Sequence, residues 1–301
     1  MNYKPEGSLF RTAENQRYIA SFEGLNEAME KSIILEARVS VCDSSHNLII
    51  DLPCGRGIIP RTEGAIGIED GTTRDIALIS RVNKIVCFKV IGICGNNITL
   101  SRKSAQEECM SEYIDNLSAG QIIEARITHL EQFGCFVDIG CGIPSLIPID
   151  AISVSRISHP SDRFRNGDFI RAVVKSREGD RIFLTHKELL GTWEENASLF
   201  ESGETVSGIV RSVEDYGIFV ELTPNLAGLA EPRDDIKAGQ SVSVYIKAII
   251  PEKMKVKLII VDSCEDCTAG NAMKYYIEDG KISHWCYSTE SSHKKIETDF
   301  S

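Results

Sequence analysis

Phe133-Gly134-Cys135-Phe136-Val137-Asp138-Ile139 and Tyr216-Gly217-Ile218-Phe219-Val220-Glu221-Leu222 are one phrase written twice. Each reads aromatic, Gly, any residue, Phe, Val, acid, aliphatic, and the two lie 83 residues apart. Gly120 and Gly203, which open the surrounding segments, keep the same separation. A fixed period of this kind means a copied structural unit. Each phrase reads as a β-strand whose glycine marks a bulge or sharp bend. In each copy two aromatics come together on adjacent strands, an arrangement on which unpaired bases can stack. Phe133, Phe136, Tyr216 and Phe219 are the candidate platform residues.

Working outward, residues 120–187 read as five short strands: GQIIEARITHL, FGCFVDIG, IPSLIPI, DFIRAVVKS and RIFLTHK. Turns are marked by Asn166-Gly167 and Glu178-Gly179-Asp180, and SRISHPSDRFRNG reads as a polar loop. Five strands in about 70 residues is the size of a small Greek-key barrel of the OB type. Residues 203–263 repeat the order with a third loop nine residues shorter, a length change that surface loops tolerate. Residues 33–103 are a weaker copy in which Ser44, Ser45, His46 and Asn47 stand near the missing aromatic phrase. The expected fold is therefore mostly β: three tandem five-stranded OB-type barrels joined by short helices, with an N-terminal helix and a C-terminal hairpin. The expected boundaries are an N-terminal helical segment 1–32 (helix 15–31), barrel 33–103, linker helix 104–119, barrel 120–187, linker helix 188–202, barrel 203–263 and tail 264–301. The tail hairpin is expected to turn at Glu278-Asp279-Gly280.

Composition bounds the class. The chain has 301 residues, 42% of them hydrophobic, and a net charge of −11. Residues 33–103, 120–190 and 203–263 together carry 25 basic and 25 acidic groups, so the acidity lies in the N-terminal segment, linkers and tail. Local basic stripes are compatible with that distribution. No apolar run approaches the roughly 18 residues of a membrane span. The N-terminal residues lack the apolar core of a secretory signal, and the ten cysteines are scattered. The expectation is a cytoplasmic protein with reduced thiols and no membrane partner.

The residues resemble the S1 RNA-binding domain family. The likeness rests on Gly208, Val210 and Val213, on Tyr216-Gly217-Ile218-Phe219-Val220, on Gly228-Leu229, and on Arg181-Ile182, Leu184-Thr185 and Lys187. Trp193, Phe200 and Gly203 resemble the connector between tandem copies, and Gly57-Ile58-Ile59-Pro60 with Leu100-Ser101-Arg102-Lys103 resembles a divergent first copy. As a whole the chain is similar to short bacterial small-subunit ribosomal protein S1-like proteins. The resemblance implies a single-stranded RNA surface on strands two and three, with Phe133/Phe136 and Tyr216/Phe219 as stacking pairs. It also implies a basic residue after the last turn, Arg181 and Lys255. Pro148 and Glu231 stand where the family often has His, and Arg177 and Pro251 where it has Asp.

Arg126, His129, Lys175, Arg181, Arg211, Lys247 and Lys255 lie beside the aromatic strands and are candidate phosphate contacts. Arg156, His159, Arg163 and Arg165 of the long loop fit either a backbone clamp or a solvated loop. Cys264, Cys267, His284 and Cys286, with His293 beyond, form an irregular ligand set. A single CxxC is a weak zinc signal, so the tail is expected to be a packing hairpin without metal. No phosphate-loop, nucleophile-elbow or HExxH signature is present, and His129 and Asp138 are expected to be surface polar groups. The expectation is a non-catalytic binder of single-stranded RNA (mRNA) acting in translation. It would need no cofactor or small-molecule substrate, and the small ribosomal subunit would contact its first copy. The alternatives are a protein-interaction adaptor and an RNA binder in turnover or transcription.

Overall fold

The computed structural model describes residues 3–179, 181–263 and 273–300. It contains three closed five-stranded barrels. The first is built from β1 (Leu35–Cys42), β2 (Leu48–Leu52), β3 (Gly55–Ile59), β4 (Ile85–Cys94) and β5 (Asn97–Ser101). The second comprises β6 (Ile122–Glu131), β7 (Gly134–Asp138), β8 (Pro144–Pro148), β9 (Phe169–Glu178) and β10 (Arg181–Thr185). The third comprises β11 (Thr205–Glu214), β12 (Gly217–Thr223), β13 (Leu226–Ala230), β14 (Ser241–Ile250) and β15 (Lys255–Ser263). In each, the first three strands form a meander, the third pairs in parallel with the fifth, and the fourth closes on the first. This mostly β, OB-like architecture matches the strand pattern in the sequence.

Alternation explains the barrels locally. In β1 Leu35, Ala37 and Val39 are buried, and in β15 Val256, Leu258 and Ile260 are buried between exposed Lys255, Lys257 and Ile259. A period of two puts one side-chain set in the barrel and the other outside.

Three expectations are corrected in detail. The N-terminal helix is two helices, Ala13–Ile19 and Phe22–Glu30, because Ser21 accepts from Gly24 N and starts a new cap. The second linker is a 3-10 turn, Lys187–Leu190, and one short helix, Trp193–Ala197, opened by a capping box from Thr192 and Glu195. The tail strands are β16 (His284–Cys286) and β17 (Glu297–Asp299), so the strand pair is made with a downstream partner. The Glu278-Asp279-Gly280 turn instead precedes an isolated bridge from Lys281 to Gln121. No helix among the described residues is long and apolar enough to cross a membrane.

The chain divides into two compact units. The first contains residues 3–117 with 124–126 and 138–144. Its core joins barrel one to Tyr18, Ile19 and Leu25 of the N-terminal helices. It also buries two carboxylates. Glu36 accepts from the backbone N–H groups of Gly7, Leu9 and Phe10 at 2.8–2.9 Å. Asp138 accepts from the N–H groups of Glu6 (2.7 Å), Gly140 (2.8 Å) and Gly142 (2.9 Å). Asp138 is only 3% exposed, which corrects the expectation of a surface group. Burial outweighs these donors and raises both groups to about 7, helped by the negative charge of Glu6. Glu6 is also buried, but Arg102, 2.7 Å away, holds it below its ordinary value.

The second unit contains residues 118–123, 127–137 and 145–300 of the described chain. Its core runs from Val173 and Leu189 through Trp193 to the interior of barrel three, and the tail adds Trp285, Tyr287 and Phe300. His186 is fully buried there, with Nδ1 3.0 Å from the Ile152 carbonyl and Nε2 3.2 Å from the Tyr275 hydroxyl. Nδ1 therefore donates and Nε2 accepts, which describes a neutral ring. Burial lowers its pKa to about 4.

The two units are predicted to respond to pH in opposite directions. Raised carboxyl values mean that the folded first unit keeps protons that the unfolded chain has lost, so its stability declines as pH rises from about 4 to about 7. A lowered His186 means that the unfolded second unit takes up a proton which the folded one refuses, so its stability declines as pH falls from about 6.5 to about 4. Hydrogen exchange of β2–β3 and β12–β13 peptides, corrected for intrinsic rates, should show protection moving oppositely between about pH 5 and pH 7. Parallel movement would contradict this assignment.

Candidate nucleic-acid interface

Phe133 ends the turn before β7 and is 56% exposed; Phe136, in β7, is half-buried beside it. Their ring centroids are 6.0 Å apart and the rings stand at 89°. Tyr216, 68% exposed, and half-buried Phe219 repeat this at 6.1 Å and 86°. The same edge-to-face pair therefore stands at the same place in two barrels. The intervening glycine allows it. At Gly134 (φ 157°) a Cβ would sit 2.3 Å from the Ile147 carbonyl oxygen, and at Gly217 (φ 154°) 2.7 Å from that of Ala230. The neighbouring strand passes too close for any side chain, and the bend turns the preceding ring outward.

Barrel one has no such pair. Its bulge lies between Val39↔Ile50 and Val41↔Ile49, as the bulge of barrel three lies between Val210↔Val220 and Ser212↔Phe219. Ile49 therefore takes the place of Phe219. His46 stands near the place of Tyr216 and lies 3.5 Å from Asp75. Exposed Val41 and Ile58 flank Ile49 across the strands.

The predicted basic contacts divide into two groups. Lys175, Arg181, Lys247 and Lys255 are exposed on strand faces. His129 is exposed and paired with Glu131 at 2.8 Å. Arg126 is half-buried and donates to the Glu6 carbonyl at 2.6 Å. Arg211 is 10% exposed and grips Glu221 with Nε at 2.8 Å and Nη2 at 3.1 Å. Arg126 and Arg211, read from sequence as phosphate contacts, thus spend donors on the protein itself.

Glu221 is the acid of the repeated phrase and is buried. Besides Arg211, it receives Arg163 Nη2 from the long loop of barrel two. Asp162 adds a carboxylate 3.6 Å from Arg211. The extra loop length of barrel two thus delivers Arg163 to barrel three, so this residue is neither a backbone clamp nor solvated. Arg156 and Arg165 are exposed and His159 is half-buried. Asn225, in the turn between β12 and β13, completes the junction: Oδ1 accepts from Val154 N at 2.9 Å, and Nδ2 donates to the Lys187 and Gly191 carbonyls at 2.9 and 2.8 Å. Sequence reasoning missed Glu221, Asn225 and His186 as organisers. The only signal was an acid in both phrases and the unequal loop length.

In the tail, His284 and Cys286 share one face of β16, with Trp285 buried on the other. Cys264 and Cys267 lie outside the described residues. Among the described residues no group of three or more His, Cys, Asp or Glu could hold a metal ion.

Closed five-stranded barrels in tandem, two of them carrying an exposed aromatic pair, define an OB-like repeat protein. Residues 116–187 match the family model described as S1 RNA binding domain. Small ribosomal subunit protein bS1 of Leuconostoc lactis is 31% identical over 231 residues, covering 70% of this chain and 52% of that protein. The protein of the same name in Staphylococcus aureus (strain COL) is 27% identical over 258 residues, covering 80% and 64%. This chain thus has homologues named bS1 over most of its length, and it spans between half and two thirds of theirs. A multidomain protein with nucleic acid binding domains from Streptococcus pneumoniae is similar at 13% identity and a TM-score of 0.26, covering 76% of this chain and 73% of that one.

Removing Arg163 leaves a buried carboxylate with one guanidinium instead of two. Breaking a buried pair outright costs about 3–5 kcal/mol, and Arg211 retains part of the compensation. Arg163→Met should therefore destabilise the second unit by about 2–3 kcal/mol in urea denaturation. The exposed Arg165→Met should stay within about 0.5 kcal/mol of wild type. Equal effects of the two substitutions would contradict the burial argument.

Proposed function

We propose that this protein binds single-stranded RNA through barrels two and three, without catalysis, and that it acts in translation in the cytoplasm by holding mRNA. The observation that carries the reading is the recurrence of the exposed edge-to-face aromatic pair, Phe133/Phe136 and Tyr216/Phe219, in two barrels. Such rings accept unpaired bases by stacking, each worth about 1–3 kcal/mol. Two platforms are therefore enough for about micromolar affinity without a strongly basic surface. Lys175, Arg181, Lys247 and Lys255 supply phosphate contacts, and His129 adds a donor when its pairing with Glu131 yields. The S1 match over residues 116–187 supports RNA as the ligand, and the bS1 homologues support translation as the process.

Barrel one does something else. Val41, Ile49 and Ile58 form an aliphatic row, with Ile49 standing where barrel three carries Phe219, which favours a protein contact. We assign that contact to the small ribosomal subunit. A protein-interaction adaptor without RNA affinity is the competing reading.

Two measurements test the proposal. In fluorescence anisotropy with homopolymer RNA, Phe133→Ala/Tyr216→Ala should weaken binding by about tenfold or more at two salt concentrations. Binding equal to wild type would sink the RNA reading. In sucrose gradients of cell lysate, the chain should migrate with small ribosomal subunits, whereas a purely soluble distribution would favour the adaptor.

A further inference from the structure

Strand register identifies one position at which the two platform barrels differ. In barrel three Phe219 pairs with Leu229, Leu229 with Lys257, and Lys257 with Ala248. In barrel two Leu146, ten residues after Phe136 as Leu229 is after Phe219, pairs with Phe183, and Phe183 with Ser176. In barrel one Ile58 pairs with Thr99, and Thr99 with Gly92. All three strands shift register at the next step. Phe183, Lys257 and Thr99 are therefore equivalent.

The position faces outward. Ile182 and Leu184 are 4% and 0% exposed, whereas Phe183 between them is half-exposed. Arg181 lies on the same face of β10, two residues away and about 7 Å along the strand. In barrel three Val256 and Leu258 are buried while Lys255 and Lys257 face solvent. From the aromatic pair, each barrel continues across an aliphatic residue to this position. Barrel two offers there a ring flanked by a guanidinium; barrel three offers a lysine flanked by a lysine.

We propose that Phe183 is a third RNA-contacting ring of barrel two, taking a base beyond those on Phe133 and Phe136, and that Lys257 takes a phosphate at the same position of barrel three. The two barrels then hold one strand by different physics. Barrel two is weighted toward base stacking, which depends little on salt, and barrel three toward phosphate contact, which releases counterions and is salt-dependent. Leu146 extends the apolar floor between Phe136 and Phe183, and Arg181 supplies the adjoining cation. This rests on the RNA reading above, and Phe183 lies inside the segment matched as an S1 RNA binding domain.

The test uses the full chain, fluorescein-labelled oligouridine and anisotropy titrations across a series of KCl concentrations. Phe183→Ala should weaken binding by about fivefold or more without changing the slope of log affinity against log salt. Phe183→Tyr, which keeps a ring, should restore it. Lys257→Ala should reduce the magnitude of the slope by about 0.7, the share of one phosphate contact on a single strand. Circular dichroism and urea midpoints serve as controls, because a ring that merely covers the sheet would lower stability and leave affinity untouched. A loss under about threefold for Phe183→Ala, a Tyr variant as weak as the Ala variant, or an unchanged slope for Lys257→Ala overturns the assignment. If those results come with strong weakening by Phe133→Ala/Tyr216→Ala, only this inference fails. If wild type binds no oligouridine, the RNA reading fails with it.

Discussion

A carboxylate removed from water must be met by donors, and the acid of the repeated phrase sets that demand in two of the three barrels. Glu221 meets Arg163 and Arg211; Asp138 meets three backbone N–H groups, including that of Glu6. In both cases the donors come partly from chain outside the acid's own barrel strands. Asp51, the equivalent residue of barrel one by register, faces solvent and pairs with Arg56 of the adjoining strand. The acid is thus organising where another segment is available to cover it and an ordinary surface charge where none is. Charge burial of this kind is costly unless every partner is present, which makes the long loop of barrel two and the N-terminal segment parts of the fold.

The same strand face carries scaffold and site. Phe136 and Asp138, and likewise Phe219 and Glu221, are two residues apart and so point the same way, about 7 Å from one another. Arg126 and Arg211, placed by sequence beside the platform, bind carbonyl and carboxylate oxygens of the protein. Lys175, Arg181, Lys247 and Lys255 are instead exposed on their strands.

Local patterns carried much of this. Alternating apolar residues located the barrel strands, because their burial depends on a period of two that the sequence displays. The paired rings were legible because aromatic, glycine and phenylalanine recur at fixed spacing. The acid's burial was not legible, since its partner Arg163 lies 58 residues away and nothing near Glu221 announces it. His186 was missed because its environment is built from Ile152, Phe164 and Tyr275, which are remote in sequence. The N-terminal helix was read as continuous because its apolar spacing runs on through Ser21, whose cap breaks it. The tail was misread because Trp285 and its neighbours pair downstream with Thr298 and its neighbours, a choice set by packing against barrel three.

The central claim is that barrels two and three present the ligand surface and barrel one does not. Ultraviolet cross-linking of the intact protein to uniformly labelled single-stranded RNA, with adducts located by peptide mass spectrometry, tests it most directly. Adducts on the peptides containing Phe133 to Phe136 and Tyr216 to Phe219, with none on the peptide containing His46 to Ile49, are the predicted result. Adducts concentrated on barrel one, or spread evenly over the three barrels, would contradict it.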